Sequence, residues 1–140
     1  MKTFSIKVIA VISLLFSCDI FSQTLHVPDD FSSIQMAIDN SNNGDTILVS
    51  KGEYFENINF RGKSIVLSSK YFLDGDLQII KQTIINGSKP QYSDTASCVV
   101  FCSGEDSSAV IQGFTITKGT GTKGYWPTHD TRMLGGGGIT

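Results

Sequence analysis

The feature that most constrains this chain is a change of period at Thr46. Before it, Phe31 to Asn42 places apolar residues at helical spacing. After it come short runs of β-branched and aromatic residues, each bounded by Gly, Asn, Asp, Ser or Lys: TILV (46–49), ENINF (56–60), KSIVLSS (63–69), QTIING (82–87), CVVFC (98–102) and AVIQGFTIT (109–117). No segment between these runs is long and apolar enough for a crossover helix, which argues against βαβ units. The expectation is one helix followed only by strands.

The helix has a start signal. Ser32-Ser33-Ile34-Gln35 fits a capping box with Ser32 as N-cap, and Phe31 and Met36 occupy the staple positions around it. Phe31, Ile34, Ala37 and Ile38 then form an apolar stripe, so a helix is expected over Ser33 to Asn42 with Gly44 as a left-handed cap.

Two all-β architectures suit the run of strands after Thr46. An antiparallel sandwich wants tight two-residue turns, for which Asn86-Gly87 is the single strong signal. A parallel β-helix wants short strands, frequent corners and weak self-similarity; TIING (83–87) and TITKG (115–119) share T-I-x-x-G. The first coil of such a solenoid exposes an apolar cross-section and bare strand edges, which one amphipathic helix can cover. A helix is needed there once and not again, which favours the β-helix.

The 140 residues, 40% apolar and 17% charged, suffice for one globular domain. The fold is expected to occupy 25–140, because 1–22 reads as a secretory signal: Lys2 and Lys7 precede the short apolar run Val8 to Phe16. That run is too short to span a bilayer, which takes about 20 residues. Cleavage after Ser22 takes the formal charge from −2 to −3. Leu15 to Cys18 partly fits a lipobox, so a lipoprotein anchored through Cys18 is the alternative to a secreted or cell-surface chain. A mildly acidic chain without Lys/Arg runs gives no reason to expect nucleic acid as a partner. Cys98 and Cys102, four apart in a strand, lie about 13 Å apart, beyond the 4.4–6.8 Å or so a disulfide tolerates; both are expected to be small core residues.

Several polar groups invite a chemical reading. Asp74 and Asp76 flank Gly75 as in a calcium loop, but D-x-[DN]-x-[DN]-G is not completed, so a solvated turn is expected and calcium is only weakly suggested. Glu105-Asp106 reads as a polar corner. Glu53 and Glu56 beside Tyr54 could be imagined as an acid–base pair for glycoside hydrolysis, but they belong to the segment G-x-Y-x-E-N, for which a turn-shaping role is expected. His26 and His129 lack the partners of a metal site or a catalytic triad, and no residue is assigned to catalysis or to a metal. The long Gly-flanked excursion Lys118 to Gly138 holds Tyr125, Trp126, His129, Asp130 and Arg132. Aromatic faces stack on sugar rings and polar neighbours bond hydroxyls, so Tyr125, Trp126, His129 and Asp130 are the candidate ligand-binding residues, against the alternative that Trp126 packs the loop onto the solenoid.

The ordered segments S-I-Q-x-A-I, G-D-T-I-x-V, G-x-Y-x-E-N-I and G-F-T-I-T resemble the N-terminal part of secreted bacterial right-handed parallel β-helix proteins of the pectin-lyase-like superfamily, over roughly 25–140. The resemblance implies a right-handed solenoid with an N-terminal capping helix, with the remaining coils of a longer chain as its natural partners and "GGGGIT" at the start of the next. In enzymes of that superfamily the catalytic groups lie on later coils, so no catalytic residue is carried over. The implied functions are a non-catalytic surface, adhesion or glycan-contacting scaffold, or alternatively the N-terminal portion of a polysaccharide lyase, pectin esterase or glycoside hydrolase.

Overall fold

A computed structural model of the chain describes residues 21–92, 95–124 and 133–134. It is β-rich, with few and short helices, and its sheets are predominantly parallel. Strands β1 (Thr24–Val27), β2 (Thr46–Val49), β5 (Val66–Ser69) and β9 (Val110–Gln112) form one sheet in that order. A second sheet aligns β3 (Gly52–Tyr54), β6 (Thr83–Asn86) and β10 (Thr115–Thr117), and a third pairs β4 (Ile58–Asn59) with β8 (Val99–Val100). Every pairing in these three sheets is parallel. The chain visits the sheets in rotation: β2, β3, β4, then β5, β6, β8, then β9, β10.

Stacking places like residues over like. Leu25, Ile47, Leu67 and Ile111 share one rung of the first sheet, and Tyr54, Ile85 and Ile116 share one rung of the second. These side chains point inward, where Ile47, Leu67 and Ile85 are fully buried with Ile58, Phe60 and Val99 of the third side. Phe60 meets Phe101 of the next layer with ring centroids 4.3 Å apart. Burial of such side chains is worth about 1.5–3 kcal/mol each.

Helix α1 (Ile34–Asn40) covers the N-terminal end, with Ile34, Ala37 and Ile38 buried as the stripe requires. Its N-cap is Ser33, one residue later than the capping-box reading, and its hydroxyl accepts from the Met36 N–H at 3.2 Å. Met36 is therefore on the outer face, 48% exposed, and makes no staple. The helix ends at Ser41, and Gly44, although at φ +91°, lies in the following turn, where its N–H meets the Ser64 carbonyl.

Other expectations need correction. The chain forms two further helices, α2 (Tyr71–Asp74) and α3 (Leu77–Gln82), between β5 and β6; one buried residue, Ile79, anchors α3, too little apolar content for a periodicity to show. Asn86-Gly87 makes no hairpin, because β6 runs parallel to both neighbours. The two T-I-x-x-G runs do stack, but one residue out of step, Thr115 facing Ile84 and Ile116 facing the buried Ile85. Cys98 is buried as expected, whereas Cys102 is exposed, and neither forms a disulfide. Among the described residues, antiparallel pairing is confined to β7 (Thr95–Ala96), β11 (Gly121–Gly124) and β12 (Met133–Leu134).

Candidate functional site

The segment that the sequence offers as an acid–base pair lies against the capping helix. One oxygen of Glu56 accepts from the Ile34 N–H at 3.0 Å and the other from the Gln35 N–H at 2.9 Å. At the other end of α1, the Lys63 ammonium donates to the carbonyls of Ile38 (2.6 Å), Asp39 (2.9 Å) and Ser41 (2.7 Å). A carboxylate on the free N–H groups and a cation on the free carbonyls both oppose the helix dipole favourably. Between them, the Gln35 carboxamide accepts from the Asn59 N–H at 2.8 Å and donates to the Asn59 carbonyl at 3.1 Å. It pairs with β4 as a peptide group of a neighbouring strand would. The Arg61–Asp39 pair at 2.9 Å is largely exposed and adds little.

Glu53 accepts from the Asn86 amide at 2.5 Å across to β6. The Tyr54 hydroxyl donates to the Ser50 carbonyl at 2.9 Å. Burial, and then the negative charges of Glu56 and Asp29, push its phenol up from the ordinary value, so it stays protonated and a donor. Phe55, 44% exposed, has the Lys89 ammonium 4.1 Å from its ring centroid, a cation–π contact. Asn57 donates to the Ser97 carbonyl at 3.0 Å while its buried Oδ1 has no hydrogen-bond partner.

Asp76, Glu105, Asp106 and Asp45 each accept from backbone N–H groups. Asp76 is the N-cap of α3, accepting from the Gln78 N–H at 2.8 Å, while Asp74 is the last residue of α2 and Gly75 turns left-handed between them at φ +67°. The D-G-D run is thus a joint between helices. Glu105 accepts from Gly62 and Ser103 N–H groups, each at 2.8 Å. Desolvation raises its carboxyl, but these donors together with its own N–H outweigh that and hold it below the usual range. Asp106 is likewise held low, by the Ser108 hydroxyl first, then the Ser108 N–H and the Ser64 hydroxyl. The buried Asp45 accepts from Gln23 and Asn42 N–H groups at 2.8 and 2.7 Å.

His26 is half-buried in β1; its backbone N–H donates to Asp30 Oδ2 at 2.7 Å, and its carbonyl accepts from the Asp30 and Phe31 N–H groups. Among the described residues no group of three or more His, Cys, Asp or Glu is placed to hold a metal ion, and no helix is long and apolar enough to cross a membrane. Tyr125, Trp126, His129, Asp130 and Arg132 lie outside the described residues. Sequence reasoning missed the clamp made by Gln35, Glu56 and Lys63, whose partners stand one coil apart in the chain and share no local pattern. Comparison with protein-family models, with curated proteins and with solved structures returned no match.

Proposed function

We propose that the chain is a right-handed parallel β-helix of the pectin-lyase-like kind, exported by its 1–22 segment, and that it serves as a non-catalytic surface or adhesion scaffold contacting glycans. One observation supports this reading above the others: five acids of the described residues are engaged in holding the fold. Glu56 caps a helix, Glu105 and Asp45 each join two backbone N–H groups, Asp76 caps α3, and Glu53 braces β3 against β6. An acid–base pair for glycoside cleavage needs two carboxyl groups facing one glycosidic bond, and a lyase needs a base together with a cation that stabilises developing charge. Glycan contact is assigned to Tyr125, Trp126, His129 and Asp130, by stacking and hydroxyl bonding.

The test is incubation of residues 23–140 with polygalacturonate, methylated pectin and alginate, with and without calcium. The expected result is no turnover, with weak glycan binding that Trp126→Ala abolishes. Turnover that disappears in Glu53→Gln or Asp76→Asn would overturn the assignment.

A further inference from the structure

The chain contains two Asn-Gly pairs, Asn43-Gly44 and Asn86-Gly87, and the fold treats them in opposite ways. Glycine after asparagine leaves the backbone nitrogen open to the neighbouring carboxamide, because no Cβ shields it. Asn86 is fully buried; its amide donates to Glu53, its Oδ1 accepts from the Ser88 N–H at 3.0 Å, and the Gly87 N–H is bonded to the Thr117 carbonyl at 2.9 Å. A Cβ built on Gly87 would fall 2.5 Å from Cys98 Sγ and 3.1 Å from both Asn57 Nδ2 and Gly119 Cα. Neither a ring closing there nor the water that must follow it has room.

Asn43 and Gly44 are exposed, in the turn between α1 and β2, and a Cβ on Gly44 would meet nothing within 4 Å. A single residue of the next layer, Ser64, holds both groups that would react: its N–H donates to Asn43 Oδ1 at 3.0 Å, and its carbonyl accepts from the Gly44 N–H at 2.8 Å. The first bond sits on the oxygen where negative charge develops when a nucleophile adds to Asn43 Cγ. The second must open before the Gly44 nitrogen can lose its proton, and it lies at an exposed turn, where local opening costs least.

We propose that Asn43 is a site of spontaneous deamidation. Hydroxide takes the Gly44 N–H proton, the nitrogen bonds to Asn43 Cγ, and the Cγ–Nδ2 bond breaks, Nδ2 leaving as ammonia with a proton from water that restores the hydroxide. Water then adds to either carbonyl of the resulting succinimide and opens it to aspartate or isoaspartate, so the net change is one water consumed and one ammonia released. The aspartyl product keeps an acceptor for the Ser64 N–H. In the isoaspartyl product the main chain runs through Cβ and Cγ of residue 43 and gains a carbon, within the turn where Asp45 accepts from the Asn42 and Gln23 N–H groups at 2.7 and 2.8 Å. That product loosens α1 from β2, so the modification acts on the cap of the stack.

Peptide mapping by mass spectrometry, on the purified chain held at mildly alkaline pH without denaturant, tests the site. Conversion at Asn43 should be at least about tenfold faster than at Asn86, whose opening requires the core to unfold, and in urea the two rates should converge. An isoaspartyl methyltransferase should label the Asn43 peptide, and Asn43→Gln, which enlarges the ring the attack must close, should abolish that label. The isoaspartyl form, separated by chromatography, should melt below both the wild type and Asn43→Asp. An Asn43 that stays intact, or converts no faster than Asn86, overturns the assignment. A difference that persists in urea also overturns it, since the neighbouring sequence and not the fold would then set the rates. An isoaspartyl form that melts with Asn43→Asp overturns the loosening of the cap.

Discussion

The two ends of the same three stacked sheets differ: at the N-terminal one, side chains occupy outward backbone groups of β1 and β4, whereas among the described residues no strand stacks beyond β8, β9 and β10. At the first, a seven-residue helix is fastened by Glu56 and Lys63, and a single glutamine takes the place of a missing strand. At the second, Val99, Ile111 and Ile116 lie in strands with one neighbour each among the described residues, and Ile111 and Ile116 are half-buried. The difference teaches that a parallel stack does not seal itself: every layer leaves the next rung open, and closing it takes residues from outside the repeat.

The contrast breaks most readily at the buried helix seam. Ile38 is fully buried between α1 and the first coil, so Ile38→Asp sets an unpaired charge in the core and should cost about 3–5 kcal/mol. Asn40→Asp, on the exposed face, gives up the amide bond to the Met36 carbonyl and sets a carboxylate at the helix C-terminus, and should cost about 1 kcal/mol. Equal melting temperatures for the two would show that the helix does not close this end.

Gly113 offers the matching probe of the other end of the described sheets. It sits between β9 and β10 at φ +79°, where an added Cβ would fall against the Ser69 hydroxyl and 3.1 Å from Tyr71 Cβ. Gly113→Ala should destabilise by about 1–3 kcal/mol through overpacking and strain. Gly104→Ala, at φ +87° with open space around it, should carry the conformational penalty alone, about 1 kcal/mol. Chemical denaturation separates them; an equal loss would mean that the β9–β10 corner is not tightly packed.

Removing the strand mimic is a smaller change. Gln35→Leu keeps the helix and strips the Asn59 N–H and carbonyl of partners, for an expected loss of about 1–2 kcal/mol and faster exchange at the Asn59 amide. If stability falls while that amide stays slow, the carboxamide is not what closes the edge.

The smallest effect is the pH dependence at Glu105, which ties Gly62 to Ser103 across two layers. Its folded carboxyl titrates below its unfolded value of 4.5, so its contribution is present above pH 4.5 and is lost as the pH falls through the lower, folded value. Glu105→Gln should thus be less stable than the wild type at neutral pH and converge with it in acid. A gap that stays constant to low pH would assign the effect to packing.

How far the sequence disclosed this structure depends on how local each cause is. The stripe Ile34, Ala37, Ile38 and the strand runs from Thr46 to Thr117 are visible because burial repeats at a fixed spacing. The strand Thr24–Val27 and the helices at Tyr71–Asp74 and Leu77–Gln82 escape such a reading, since all three are short and the helices are mostly exposed. The N-cap moves from Ser32 to Ser33: Glu56, distant in sequence, accepts the Gln35 N–H that the Ser32 hydroxyl would accept in a capping box, and the Gln35 side chain turns instead to Asn59. A shaping role is expected for Glu53 and Glu56 from the segment they belong to, but their partners Asn86 and α1 are set by stacking, which no local window contains.

Amide hydrogen exchange on residues 23–140 at a concentration where the chain is monomeric tests the asymmetry most directly. The amides of His26 and Asn59, held by Asp30 and Gln35, should exchange slowly, while those of Val99, Ile111 and Ile116, in equally short strands at the other end, should exchange fast. Equal protection at both ends, or faster exchange at Asn59 than at Ile111, would contradict the account.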